Sequence, residues 1–310
     1  MSDDLFTRIQ GRGRRAAHPL AAAPHGPAPR PDPPDGARHV VVVILDSLRY
    51  DSLLAAQPRV LPRLGPIERR FTYATWTAPS HYALLTGLLP HRAPTGVVAH
   101  EVYRDDLGAW APRLGLPAAG WGAMLPDLWL PRWLQAHGYQ TGARVSLPTL
   151  NPATPLNRAF DDYTQAERHN DLPALLASLR FDGGRPWFWL VNAGETHYPY
   201  ATAEEPEAHW PKLHGVHGVF RRLAAGAPVH ASEAAEAFDA ARLDLLRRRQ
   251  VRAAAHCDRA LEALFDACPP GTRIIVTADH GECFGEGGWF GHGPIPHEKV
   301  LEVPFVEGTV

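Results

Sequence analysis

An α/β fold, with a mostly parallel central sheet flanked by helices on both faces, follows from three features of the sequence. Three runs are apolar almost throughout: His39-Val40-Val41-Val42-Val43-Ile44-Leu45, Pro186-Trp187-Phe188-Trp189-Leu190-Val191-Asn192 and Arg273-Ile274-Ile275-Val276. Such β-branched and aromatic stretches read as strands covered on both sides, as in parallel sheets. Between the second and third runs, from about Ser232 to Ala267, Leu243, Leu246, Val251, Ala254, Cys257, Leu261 and Leu264 recur at helical spacing. Strands that alternate with helices build a parallel sheet. Each run also ends in a polar cluster, and ligands collect at the C-terminal edges of such strands.

Taken in order, residues 1–38 are an arm without the means to fold. From Gly11 to Arg38 the chain is rich in Pro, Ala, Arg and Gly, with almost no bulky apolar side chains. It cannot bury enough surface to offset its ordering entropy, and it samples extended polyproline conformations. Residues 39–310 form the folded domain. Its first strand ends at Asp46. A helix opens near Pro79, which suits a first turn, and closes at Gly87. The region 99–185 is rich in Trp and Pro and hard to read, with a weaker strand candidate at 139–147. The long helix stops at Pro269-Pro270-Gly271, and the third strong strand follows it.

Composition excludes several classes. With 310 residues and 45% apolar content the chain can bury a sizeable core. A net charge of −2 gives no electrostatic case for nucleic acid or for an anionic membrane. No stretch approaches eighteen uninterrupted apolar residues, and no apolar core follows Arg14-Arg15, so neither a membrane span nor a signal peptide is expected. Cys257, Cys268 and Cys283 form no CxxC pair and cannot all pair within one chain. That usage points to a reducing, cytoplasmic compartment.

Four clusters carry chemistry. The third strand runs into Thr277-Ala278-Asp279-His280-Gly281-Glu282, with His292 beyond a glycine-rich loop. A carboxylate beside an imidazole at a strand edge suits a divalent metal, although the same turn is also read as a plain polar strand end. The first strand ends in Asp46-Ser47, where Asp46 is free for a metal, or Asp46 or Ser47 caps the next helix. The second leads to Glu195-Thr196-His197, where His197 is a ligand, a general acid or a surface histidine. Thr77, in Thr75-Trp76-Thr77-Ala78-Pro79-Ser80-His81, lies just ahead of a helix. It can serve there as an N-cap, or as a hydroxyl nucleophile beside an anion held by free amides.

In that order these clusters resemble the alkaline phosphatase/sulfatase superfamily. The segment Ala278 to Val306 is similar to its sulfatase-like branch, which includes phosphoethanolamine and phosphoglycerol transferases. The resemblance spans about residues 39–306 and implies an alkaline phosphatase-like fold. It implies that Asp46, Thr77, Asp279 and His280 bind a divalent metal (Zn, Mn, Mg or Ca, one ion or two), with Thr77 as nucleophile. His197 and His292 match positions that contact the transferred group, protonate the leaving group or help bind a second metal.

The chain also departs from that pattern. Sulfatases carry Cys or Ser, for conversion to formylglycine, where Thr77 stands, and Arg where His81 stands; Ser47 replaces a second acidic ligand. The expected activity is therefore hydrolysis of a soluble phosphate ester, phosphodiester or phosphonate ester through Thr77, with a small-molecule substrate and neither nucleic acid nor membrane as partner. The alternatives are a phosphotransferase or sulfatase-like enzyme of small-molecule biosynthesis, or a non-catalytic metal-binding homologue.

Overall fold

The structure, a computed structural model, describes residues 30–93, 109–116, 129–211 and 239–310. All three strong runs form strands, and the sheet is built around them. β1 (Val40–Leu45), β5 (Trp187–Ala193) and β6 (Arg273–Thr277) are nearly completely buried. The weaker candidate is β3 (Gln140–Val145). Also in the sheet are β2 (Glu68–Phe71), β4 (Asp162–Gln165) and β9 (Glu302–Thr309). The strand order is β2-β9-β6-β1-β5-β3-β4. The run from β6 to β4 is parallel throughout, and β9 is antiparallel to both of its neighbours.

The pleat of β1 divides the core into two. Val41, Val43 and Leu45 face one side, where they pack with α7 (Ala240–Ala267), α6 (Leu172–Ala177) and the short α1 (Tyr50–Ala55) and α2 (Leu61–Leu64). Val40, Val42 and Ile44 face the other, against α3 (Thr77–Leu85), α4 (Trp110–Leu114) and α5 (Leu130–Ala136). Alternation on a strand buried on both faces is what the unbroken apolar run encodes. The sheet's close packing shows at Gly142, where an added Cβ would lie 2.1 Å from the Trp189 ring. Trp189 in turn stacks on Trp187 at 4.8 Å.

Beyond β6, a small hairpin of β7 (Cys283–Phe284) and β8 (Phe290–Gly291) leads into α8 (Glu298–Leu301) and β9. Two expected boundaries fall partly on residues outside the described ones. Of the helical pattern from Ser232, residues 232–238 lie outside the described residues; α7 is continuous from Ala240 and is capped by Asp239, whose side chain accepts from Ala241 N at 3.4 Å. Of the arm, residues 1–29 also lie outside the described residues. Residues 31–38, however, run against the domain. Arg185 Nη1 donates to Pro31 O at 2.6 Å, Arg38 N donates to Leu114 O at 3.2 Å, and Ala37 packs on the core.

Candidate active site

The C-terminal ends of β1, β5 and β6 meet at one point because their register is nearly level: Ile44 lies opposite both Asn192 and Thr277. Asp46, one residue past β1, and Asp279 and His280, two and three past β6, therefore converge. One ligand atom from each of the three lies within 4.8 Å of the others, and all three residues are buried. Asp46 caps nothing, since Arg49 occupies the N-cap of α1 and makes no side-chain cap bond. Its Oδ2 accepts from Asn192 Nδ2 at 2.9 Å and its Oδ1 from Ser47 Oγ at 3.2 Å. Asp279 Oδ1 accepts from the backbone of Ser47 (3.1 Å) and of His280 (3.0 Å). Ser47 adopts a left-handed φ of 60°, which aims its amide at Asp279.

Thr77 completes the cluster. It is the first residue of α3, not the residue ahead of it, and its Oγ1 lies 3.3 Å from His280 Nε2. His280 Nδ1–H donates to Gly281 O at 2.9 Å, which leaves the Nε2 lone pair toward Thr77 and the carboxylates. His81, where the sulfatase pattern has Arg, is buried in the same place. It holds Thr77 through Nδ1–H to Thr77 O at 2.8 Å and stands 3.8 Å from Asp279 Oδ2.

His197 and His292 form the rim. The His292 ring lies 4.3 Å from the His280 ring and 5.3 Å from the His197 ring. His197 Nδ1 bonds Tyr198 O (2.9 Å) and His292 Nδ1 bonds Glu282 Oε1 (3.2 Å), so each ring keeps Nε2 for other partners. All six residues expected at the site are thus brought together. Glu195 is not among them: it is buried and accepts from Leu172 N, and burial pushes its carboxyl up to about 7. Cys283 is buried too, and burial pushes its thiol up to about 12.

Electrostatics show what the cluster is built to hold. Burial, together with the charge of Asp46, pushes Asp279 well above the usual carboxylate range. Burial works against an ionised Asp46, but His197 and the Asn192 amide favour it, and its carboxyl stays low. Burial and the neighbouring His292 keep His280 neutral. Asp279 Oδ2 is buried with no hydrogen-bond partner among the described residues. Two buried carboxylates with one oxygen orphaned, beside a neutral imidazole, is an arrangement a cation relieves. The donor set of oxygens and one imidazole nitrogen fits a hard or borderline divalent metal.

Other residues secure this cluster, two of them from far away in sequence. Asn192 supports Asp46, Glu282 supports His292, and Gln250 of α7 donates to Ser47 O (2.9 Å) and Thr196 O (3.1 Å). Asn192, the polar end of an apolar run, and Glu282, at the end of the cluster after the third strand, left a trace in the sequence; Gln250 left none.

A family model described as Sulfatase matches residues 38–306. The chain belongs to the sulfatase family. It is thus an enzyme of the alkaline phosphatase superfamily, as the ordered clusters imply. No curated protein sequence matches it.

Among solved structures, this sulfatase-family chain is similar to the C-terminal periplasmic domain of EptC from Escherichia coli in complex with Zn, at 15% identity and a TM-score of 0.49, over 91% of this chain and 77% of that one. The periplasmic domain of phosphoethanolamine transferase EptC from Campylobacter jejuni matches at 11% identity and 0.49, over 90% and 80%. Phosphonate monoester hydrolase of Agrobacterium radiobacter matches at 15% and 0.47, over 87% and 68%.

The cytoplasmic placement read from the cysteines is corrected here, since two of these similar structures are periplasmic domains. The physical reason is that all three thiols are buried and free, and burial alone protects a thiol in any compartment. Among the described residues, no helix is long and apolar enough to cross a membrane.

Proposed function

We propose that this sulfatase-family enzyme cleaves a phosphate ester, phosphodiester or phosphonate ester through a covalent adduct on Thr77, with a divalent metal held by Asp46, Thr77, Asp279 and His280. The observation that carries the reading is the Thr77 hydroxyl, 3.3 Å from His280 Nε2 and at the opening of a nine-residue helix. Threonine cannot become formylglycine, so phosphoryl transfer is favoured over the sulfatase route. When bound, the cation would lower the pKa of the Thr77 hydroxyl and neutralise charge on the transferred group.

The protein's own groups do the rest. Thr77 reacts as its alkoxide, its proton having passed to bulk water, and the Oγ1–P bond forms as the P–O bond to the leaving alcohol breaks. The first turn of α3 presents backbone dipoles to the anionic group. His292 Nε2–H gives its proton to the leaving oxygen, and His197, beside it, contacts the transferred group. In the second half, water or an acceptor alcohol attacks phosphorus while His292 Nε2 takes its proton and Thr77 leaves. Water makes the enzyme a hydrolase, and an alcohol makes it a transferase with the same first half.

The test is a panel of phosphate, phosphonate and sulfate esters assayed with Zn, Mn, Mg and Ca. Turnover of phosphorus esters that Thr77→Ala abolishes in a folded protein is the expected result. Full activity of Thr77→Ala would remove the nucleophile.

A further inference from the structure

We propose that Glu282 and Tyr200 are positioning residues that hold His292 in the tautomer able to move a proton at the leaving oxygen; this rests on the assignment of His292 to that role above. Glu282 is 2% exposed, and both of its carboxylate oxygens are engaged. Oε1 lies 3.2 Å from His292 Nδ1, and Oε2 accepts from the Tyr200 hydroxyl. Its backbone is fixed as well, because the buried Arg49 donates from Nη1 to Glu282 O at 3.2 Å. The carboxylate therefore cannot turn without breaking one bond to gain another.

Tyr200 carries a left-handed φ of 57°, a conformation that a bulky residue adopts only where the surroundings enforce it. Packing alone does not account for a buried carboxylate at this position, since an apolar residue would cost less desolvation. A purpose that requires charge does account for it. Glu282 Oε1 accepts Nδ1–H from His292, so Nε2 is the atom left to gain and lose the proton. In the step, His292 Nε2–H passes its proton to the departing oxygen as the P–O bond breaks. The products are the neutral alcohol and neutral His292, whose Nδ1–H stays bonded to Glu282.

The experiment compares two phosphate monoesters, one releasing p-nitrophenol and one releasing an alkyl alcohol. An aryl leaving group needs no proton, whereas an alkyl one does. Glu282→Gln should lower kcat/KM, which reports only the steps through loss of the leaving alcohol, roughly 10- to 100-fold on the alkyl ester and less than about threefold on the aryl ester. His292→Ala should show the same split more strongly. Adding Glu282→Gln to His292→Ala should cost nothing further, because the two act as a unit. Tyr200→Phe should give a weaker split of the same sign.

Equal losses in kcat/KM on both esters, or a further loss in the double variant, would overturn the proposal. A readout independent of turnover is the imidazole nitrogen NMR of His292 in Thr77→Ala protein. Nδ1 should be protonated there, and the Nδ1–H state should be lost or mixed once Glu282→Gln is added; an unchanged spectrum would count against Glu282. If Thr77→Ala keeps full activity while the NMR behaves as expected, the nucleophile fails and the positioning pair stands.

Discussion

Asp279→Asn should uncouple the protein's thermal stability from metal. Asp46 is 0% and Asp279 5% exposed, and Asp279 Oδ2 has no hydrogen-bond partner among the described residues. Asparagine preserves what Asp279 Oδ1 does, because an amide oxygen accepts equally well from Ser47 N at 3.1 Å and His280 N at 3.0 Å. What it removes is one metal ligand, at a carboxyl that burial and the Asp46 charge push well above the usual carboxylate range. A cation at a hundredfold its Kd stabilises the folded state by about 2.7 kcal/mol. For a domain of this size that is a rise in Tm of roughly 5 °C. Calorimetry of wild type should show this rise when a chelator is exchanged for one of Zn, Mn, Mg or Ca. The variant should shift by less than about 1 °C, since the linkage term vanishes with the site. In chelator the variant should melt close to wild type, because burial and the Asp46 charge already disfavour an ionised Asp279 there, and the amide keeps both backbone hydrogen bonds. A variant that keeps the metal-induced shift, or a wild type that responds to none of the four ions, would refute the reasoning.

Two further outcomes test the scaffold. Burial raises the Glu307 carboxyl, but hydrogen bonds and charge from Arg113 and Arg273 outweigh it and hold the group at about 2, against an ordinary 4.5. Its stabilisation is present above the unfolded value and is lost as pH falls through the folded one. After discounting for its partial exposure, Glu307→Gln should cost about 1–2 kcal/mol at pH 7 and flatten the acid limb of the stability curve; an unchanged limb in urea titrations at low pH would contradict this. Gly142→Ala drives a Cβ to 2.1 Å from Trp189 on the neighbouring strand. It should cost about 1–3 kcal/mol by overpacking, read from the denaturation midpoint, with a neutral result speaking against the tight β3–β5 contact.

The parts of the fold that the sequence disclosed are those where burial is two-sided. β1, β5 and β6 are unbroken apolar runs because helices cover both of their faces. β2 and β4 escaped notice because they are the sheet's edges, Glu68-Arg69-Arg70-Phe71 and Asp162-Tyr163-Thr164-Gln165, and their charges are used in ion pairs such as Arg70 with Glu68 and Arg144 with Asp162. β9 was hidden by Pro304 and Gly308, which argue against an inner strand. Pro304 is tolerated there, and its carbonyl accepts from Thr277 Oγ1 at 2.6 Å. The same division holds at the site. Asp46, Thr77, His197, Asp279, His280 and His292 stand in local motifs, whereas Gln250 reaches Ser47 across 203 positions and Tyr200 reaches Glu282 across 82. Spacing along the chain cannot report contacts made only when strand ends and α7 are folded together.

The most direct test of the account is to capture the adduct. Protein mixed with a reactive aryl phosphate ester and the activating metal, then quenched in acid, should carry a phosphoryl group that peptide mass spectrometry maps to Thr77. The group should disappear in Thr77→Ala and, once substrate is exhausted, decay as water or an alcohol is supplied. Turnover with no adduct on Thr77 at any quench time, or an adduct on another residue that Thr77→Ala leaves in place, would contradict the central claim.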